Sequence, residues 1–343
     1  MKKNKVKIIA EAGVNHNGSI KLAKKLVDCA SKMGADYVKF QTFEADDLAT
    51  ESAPKAYYQK INTRKGETQY RMLKRLELSK KDHVILKKYC KKRKINFLSS
   101  CFSISSFNFL HKIGLKTIKI PSGEINNVPF LEHIGKYKKE IILSSGMSSL
   151  LEVSKAIKIL LEAGTPKKNL TILHCNTEYP TPLQNINLKA MNTIKEKFGV
   201  KVGYSDHSEG NIVSIAATTL GASVIEKHFT LNKSSKGPDH KASLNISELK
   251  AMIQNIRDTE VLLGKSEKKP SKGEMQNIKI VRKSIVAKKQ IAKGEIFNEE
   301  NITTKRPDTG ISAKNWHKIL GKKSKYNFKK DEQIKIKWEK FAL

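Results

Sequence analysis

From residue 6 to residue 263 the sequence repeats one pattern eight times, a short apolar run followed by an amphipathic stretch. Few folds can accept such a repeat. The runs cover residues 7–10, 37–41, 96–100, 117–120, 141–144, 170–174, 201–204 and 223–227. Each is short and rich in aliphatic residues, the signature of a strand covered on both faces. Between them, residues 21–33 place Leu22, Leu26, Cys29, Ala30 and Met33 at helical spacing, and Gly34 ends the pattern. Residues 150–163 open with the capping box Ser149-x-x-Glu152 and close at Gly164. Residues 246–263 carry Leu249, Met252, Ile253 and Ile256 and stop at Gly264. Eight βα units in about 260 residues predict an α/β protein built on a closed (β/α)8 TIM barrel. A doubly wound sheet is the alternative, but no GxGxxG follows the first run and no GxxxxGK[ST] occurs anywhere. The long excursion over residues 44–78, rich in Tyr, Gln and charge, is expected to help build the active-site mouth.

The pattern stops after Gly264. Residues 265–281, with Lys268-Lys269-Pro270-Ser271-Lys272-Gly273, read as a linker between a catalytic domain at 1–264 and a small, basic, mostly β module at 282–343. Short β-like pieces lie at 284–287 and 333–337. The net charge of +33 points to no polyanion partner: of 66 basic residues only 7 are Arg, the residue that nucleic-acid sites recruit for bidentate contacts, and the lysines scatter at solvent-type positions without interleaved aromatics. Drift toward A/T-rich codons accounts for the lysines, and their field would still draw in small anions. No run approaches the ~20 apolar residues of a spanning helix. Glu11 breaks the apolar run of the N-terminus, against a signal peptide. Cys29, Cys90, Cys101 and Cys175 form no CxxC pair, so reduced thiols in a cytoplasmic protein are expected.

Barrel chemistry sits at the C-terminal ends of the strands. Taken in order, the eight runs end in Glu11; Lys39 and Gln41; Ser99-Ser100; Lys119 with Pro121-Ser122-Gly123-Glu124; Ser144-Ser145-Gly146; His174-Cys175-Asn176-Thr177; Tyr204-Ser205-Asp206-His207; and Glu226 with His228. Every run delivers a polar or titratable group at the same end. Lys39, Lys119, Ser122 and the turn at 144–146 can bind a phosphate or carboxylate. Glu11, Glu124, His207, Glu226, His228 and Asp239 offer carboxylates and imidazoles for a metal or for proton transfer. His207 and His228, on consecutive strands, could share one cation, and two imidazoles with open positions would suit Mn²⁺, Co²⁺ or Zn²⁺. Blander roles stay open: Lys39 as a structural ion pair with Glu11 or Glu124, Ser122-Gly123 and Ser145-Gly146 as ordinary turns, and Asn15-His16-Asn17-Gly18 as a helix entry capped by Asn17. His83, His111, His133 and His317 carry no functional expectation.

Several blocks resemble a known family. Residues 8–18 (IIAEAGVNHNG), 38–42 (VKFQT), 119–124 (KIPSGE), 179–182 (YPTP), 203–207 (GYSDH), 226–230 (EKHFT) and 237–240 (GPDH) are similar, in order, to the sialic acid synthase (N-acetylneuraminate synthase) family. The tail resembles its antifreeze-like SAF domain through Arg282-Lys283-Ser284 and Lys305-Arg306-Pro307. The resemblance implies condensation of phosphoenolpyruvate with an N-acetylated mannose-type sugar, giving a nine-carbon 2-keto acid and phosphate. It implies Mn²⁺, with Mg²⁺ or Co²⁺ as substitutes, on His207 and His228, and phosphoenolpyruvate on Lys39, Lys119, Ser122 and Ser144. Glu124 would move protons at the sugar aldehyde oxygen, Glu11 and Asp239 would hold sugar hydroxyls, and Gln41, Thr177 and Tyr179 would complete the substrate contacts. It also implies a domain-swapped homodimer in which Arg306 reaches the partner's N-acetyl group. Asp308 stands where the family's tail has glycine. Residues 176–179 and Gln69-Tyr70-x-Met72-Leu73 resemble the N,N'-diacetyllegionaminate synthases, which use 2,4-diacetamido-2,4,6-trideoxymannose, so both that sugar and N-acetylmannosamine remain open. The rival readings are a pyruvate aldolase with a Schiff base on Lys39 or Lys119, and a basic binding protein on a decayed barrel.

Overall fold

The computed structural model describes residues 5–336. The chain divides into two compact units, residues 1–264 and 265–343. In the first, eight parallel strands close into a barrel: β1 (Lys7–Gly13), β2 (Tyr37–Thr42), β3 (Asn96–Cys101), β4 (Thr117–Ile120), β5 (Glu140–Ser144), β6 (Leu170–Cys175), β7 (Lys201–Asp206) and β8 (Val224–His228). Neighbours pair in sequence order and β8 pairs back with β1. The helices that return the chain are α1 (Ile20–Met33) after β1, α2 (Ala45–Leu48), α3 (Tyr57–Asn62), α4 (Gln69–Leu76) and α5 (Lys80–Lys92) after β2, then α6 (Ile104–Lys112), α7 (Val128–Gly135), α8 (Leu150–Glu162), α9 (Lys189–Phe198), α10 (Ile212–Thr219) and α11 (Ile246–Leu262). The expected TIM barrel is present.

The strands alternate strictly. Ile9, Leu98, Ile142, Leu173 and Val224 fill the barrel interior as an apolar layer. Two residues further along, β1, β3, β5 and β8 place Glu11, Ser100, Ser144 and Glu226, and β2 brings Lys39 two residues beyond Tyr37. The outward-facing residues, such as Ile8, Ala10, Val38, Phe40 and Ile118, pack with the helices into the main core. Several strands run past their apolar residues: β1 reaches Gly13 and β7 reaches Asp206, because the polar residues there are themselves buried. Gly203 permits this closure, since a Cβ there would sit 2.3 Å from the Val224 carbonyl oxygen.

Asp206 and Lys227 point outward between the barrel and its helices. Their side chains have no solvent-accessible surface and lie 3.0 Å apart. Asp206 also accepts from the Ser208 N–H and hydroxyl and from the Ser214 hydroxyl, and Lys227 donates to the Ser208 carbonyl. The pair therefore fastens the end of β7 to the end of β8.

Two sequence expectations change. The helix cap before α1 is Ser19, whose hydroxyl accepts from the Leu22 N–H. Asn17 is instead held in left-handed backbone, φ 49°, and donates to the Lys236 carbonyl. The segment expected as a linker carries a helix, α12 (Lys272–Val281), opened by a Ser271/Glu274 capping box. The Lys/Pro/Gly composition masked that box. The second unit continues with the antiparallel pair β9 (Ser284–Ala287) and β10 (Ile302–Lys305) and a short α13 (Trp316–Ile319) around Ile285, Ile291, Phe297, Ile302, Ile319 and Phe328. Of the piece expected at 333–337, Gln333 bridges to Val286, and Lys337 lies outside the described residues.

Removing one member of a buried pair strands the other charge. Asp206→Leu alone should destabilise the barrel by about 3–5 kcal/mol, read from the urea midpoint, whereas adding Lys227→Met should restore most of that loss. Strictly additive losses would show that the two residues do not depend on each other.

Candidate active site

At the C-terminal mouth of the barrel is a cavity of about 320 Å³ whose lining includes Glu11, Lys39, Gln41, Lys119, Ser122, Glu124, Ser144, Thr177, Tyr179, Glu226, His207 and His228. Strand register explains the assembly. Glu11 pairs with Lys39 on one side and with His228 on the other, Ser100 pairs with Lys119, and Ser205 with Glu226. A bulge between Glu11 and Gly13 breaks the register at the end of β1. Gly13 is needed there: its φ is +50° and a Cβ would come 3.2 Å from the His228 ring.

The floor is a buried cluster of four charged groups. The Lys39 ammonium lies 2.9 Å from Glu11 Oε2 and 3.5 Å from Glu226 Oε1, and it donates to Ser100. Lys119 donates to the Ser144 hydroxyl at 2.6 Å and stands 4.0 Å from Glu226. Of the two partners foreseen for Lys39, Glu11 is present and Glu124 is replaced by Glu226. Burial lifts the Glu11 carboxyl to about 8, with Lys39 only partly offsetting it. Burial also raises Glu226, but Lys119 and Lys39 outweigh it and hold that carboxyl below its ordinary value. The two carboxylates together hold Lys39 above its usual range against its desolvation, while burial pushes Lys119 down. Lys119, whose nearest carboxylate stands 4.0 Å away, is the less closely paired of the two lysines and the one an anion in the cavity could approach.

Ser122 and Glu124 lie on the turn after β4. The Ser122 hydroxyl accepts from the Gly146 N–H at 2.9 Å, which brings the turn after β5 beside it. Glu124 is half-buried, burial raises its carboxyl, and Asn127 donates to it at 2.7 Å.

The opposite side carries the imidazoles. Their ring centroids are 5.5 Å apart. His207 Nδ1 donates to the Asn176 carbonyl, which leaves Nε2 as the lone-pair nitrogen. Burial holds His207 down to about 4 and His228 well below the usual range, so both rings are neutral. His228 Nδ1 is buried without a hydrogen-bond partner, 3.9 Å from Asp239 Oδ2. Two neutral imidazoles, one with an orphaned nitrogen and a carboxylate beside it, fit a divalent cation. Among the described residues no group of three or more His, Cys, Asp or Glu is arranged to hold a metal, so water or substrate would fill the other positions.

The structure thus brings together the twelve cavity residues named above, all expected from the sequence, with Asp239 buried beside His228. Arg306 is exposed on the second unit, just past β10. Residues not singled out beforehand include Tyr58 and Gln59, which come from the excursion. Tyr58 stacks on Tyr179 at 4.7 Å, and Tyr179 lies 4.1 Å from the His207 ring. The Tyr57-Tyr58 doublet was the available signal. His83 proves structural, buried between the Ser79 and Gln41 carbonyls.

Known proteins are similar to this chain over most of its length. The NeuB family profile matches residues 26–268, and the SAF domain profile matches 282–337. The chain is 52% identical over 331 residues to an N,N'-diacetyllegionaminic acid synthase of Campylobacter jejuni, covering 96% of this chain and 99% of that protein. It is 46% identical to an N,N'-diacetyllegionaminic acid synthase of Legionella pneumophila, covering 93% of this chain and 90% of that one. Among solved structures, an N-acetylneuraminic acid (sialic acid) synthetase from Leptospira borgpetersenii in complex with citrate superposes with a TM-score of 0.70 at 32% identity, covering 80% of this chain and 90% of that one. No helix among the described residues is long and apolar enough to cross a membrane. On a profile spanning most of the barrel and two relatives alike over nearly their whole length, the chain belongs to the NeuB family.

Proposed function

We propose that this protein is a cytoplasmic enzyme that condenses phosphoenolpyruvate with the open-chain aldehyde of an N-acetylated amino sugar, yielding a nine-carbon 2-keto acid and inorganic phosphate. The observation that carries this reading is one cavity whose floor holds two buried lysines and serine hydroxyls, facing a pair of neutral imidazoles. Phosphoenolpyruvate needs the first and an aldehyde acceptor needs the second. Similarity to two N,N'-diacetyllegionaminic acid synthases supports 2,4-diacetamido-2,4,6-trideoxymannose, rather than N-acetylmannosamine, as the acceptor of this enzyme.

In this reading Lys39, Lys119, Ser122 and Ser144 bind the phosphate and carboxylate of phosphoenolpyruvate, with charge-assisted hydrogen bonds in a dry site. C3 of the enol forms a bond to the aldehyde carbon, and Glu124, whose raised affinity for a proton suits the task, gives that proton to the aldehyde oxygen. Water adds at C2 and gives one proton back to Glu124; the C2–O bond to phosphate then breaks, the remaining C2 hydroxyl proton leaves with the phosphate, and the 2-keto acid remains. Glu11, Gln41, Thr177, Tyr179 and Asp239 position the sugar. His207 and His228 would hold Mn²⁺, or Mg²⁺ or Co²⁺ in its place, which when bound supplies Lewis-acid polarisation of the aldehyde. Arg306 would serve the N-acetyl group in a homodimer with exchanged C-terminal modules, a role supported by its exposure and by the SAF match.

Phosphate release from phosphoenolpyruvate should require both an N-acetylated mannose-type sugar and a divalent cation. Lys119→Ala should raise the KM for phosphoenolpyruvate far more than that for the sugar. Borohydride trapping of a pyruvate adduct on Lys39 or Lys119, without phosphate release, would overturn the proposal in favour of an aldolase.

His207→Ala and His228→Ala should each abolish high-affinity Mn²⁺ binding, followed by electron paramagnetic resonance, and lower kcat by more than about tenfold, 1.4 kcal/mol. Mn²⁺ bound equally well by either variant would place the cation elsewhere.

Mixing Arg306→Ala protein with His228→Ala protein should restore about half of wild-type activity per mixed dimer once subunits exchange, because one of two sites then carries neither defect. A mixture that stays inactive after exchange is demonstrated would rule out the swapped arrangement.

A further inference from the structure

Beside the catalytic cavity, between α8 and α9, lies a second and larger cavity of about 620 Å³. The two share only Met147 and Cys175 in their linings, and neither the floor lysines nor the imidazoles line the second. Its lining holds one cation, Lys189, and no carboxylate. Its hydroxyl protons are already committed to backbone carbonyls: Ser145 donates to Leu173 at 3.0 Å, Ser148 to Gly146 at 3.1 Å and Thr193 to Lys189 at 3.4 Å. What these hydroxyls have left to offer is lone pairs. Asn176 adds another acceptor, because its Nδ2 donates to the Asn185 carbonyl while its Oδ1 is buried without a hydrogen-bond partner. Leu150, Val153 and Ile194 supply the apolar part of the lining.

We propose that this cavity is a second small-molecule site, distinct from the catalytic one, for a polyhydroxylated sugar acid. A set of acceptors calls for a ligand rich in O–H donors, and a buried acceptor left unpaired is unfavourable until such a donor reaches it. A sugar also presents a C–H face, which leaves water for the aliphatic side chains. Lys189, exposed on the first turn of α9, is the group that pairs with a carboxylate. A cationic ligand would meet that ammonium and find no negative group in return, so the lining selects against an amino sugar. The inference stands apart from the condensation reading, since it uses none of the residues assigned there and its test needs no turnover.

The probe is D-glucuronate, with D-glucose as the matching neutral sugar and D-glucosamine as the cationic one, each titrated into the full chain and followed by ligand-observed nuclear magnetic resonance. Glucuronate should saturate with a Kd of about 1 mM or tighter, and glucose and glucosamine should bind at least about fivefold more weakly. Lys189→Ala should remove the advantage of the acid over glucose. Ala190→Phe, which puts a ring into the cavity, should weaken glucuronate by about tenfold or more, whereas Lys119→Ala should bind it as the wild type does. Absence of saturation up to about 10 mM glucuronate overturns the proposal, as does glucose bound as tightly as the acid. Undiminished binding by a folded Ala190→Phe protein also overturns it, and so does loss of binding in Lys119→Ala, which would put the acid in the catalytic cavity. If Ala190→Phe does not fold, judged by its thermal transition, the surface variant Lys189→Ala decides, and an acid preference that survives it overturns the proposal.

Discussion

Four charges buried at one level of a closed barrel set the terms for the rest of this molecule. Glu11, Lys39, Lys119 and Glu226 are almost wholly removed from water, which is unfavourable for each unless partners stand at contact distance. Neighbouring strands β1 and β2 supply the Glu11–Lys39 contact, but only closure of β8 on β1 brings Glu226 to Lys39. The apolar layer of Ile9, Leu98, Ile142, Leu173 and Val224 directly beneath keeps water out from below. Each fully buried aliphatic side chain of that size contributes about 1.5–3 kcal/mol, and the layer as a whole offsets part of the desolvation above it. The barrel is thus stabilised one level below the place where it is electrostatically loaded.

That layering also explains what could be read from the sequence. Strand cores were visible because both faces of a barrel strand are apolar at that lower level, as with Ile8 and Ile9 or Ile141 and Ile142. Strand ends were less visible, since Glu11, Ser205 and Asp206 look like loop residues until their burial is known. The polar residues that follow each run identified most of the cavity lining. Their pairing did not follow from the runs alone, because Lys39 meets Glu226 only through the sealing of β8 on β1. The excursion was legible as a contributor to the mouth and not in its parts. Tyr58 reaches Tyr179 across a loop of unpredictable path, and α3 has no buried residue of its own to betray its periodicity. Helix α12 was masked by its own composition, although Ser271 and Glu274 stood at capping-box spacing.

The site divides by origin. The lysines, serines and imidazoles of the cavity lie on or just past strands, where hydrogen bonding fixes the backbone. Tyr58, Gln59, Gln69 and Leu73 come instead from the excursion, whose small core of Val14, Phe43, Met72 and Leu76 is separate from the main one. A change in the excursion can therefore alter its part of the lining without moving the strands. The strand-borne and excursion-borne parts of the lining thus rest on different packing units.

The outer faces of β7 and β8 close the argument. Strand alternation that turns Ser205 and His207 inward turns Asp206 outward, and Glu226 and His228 inward sets Lys227 outward. The same two strand ends therefore carry the imidazoles on one face and a fully buried ion pair on the other. Any shift of β7 against β8 that separated the imidazoles would also pull Asp206 from Lys227 and expose the Ser208 and Ser214 contacts that hold it. A one-residue slip would do worse, placing both histidines outward and both charges of the pair in the barrel. The distance between the two imidazoles is in this way made stiff by an interaction that never touches the cavity, and the stiffness comes from the high free energy of parting two buried charges.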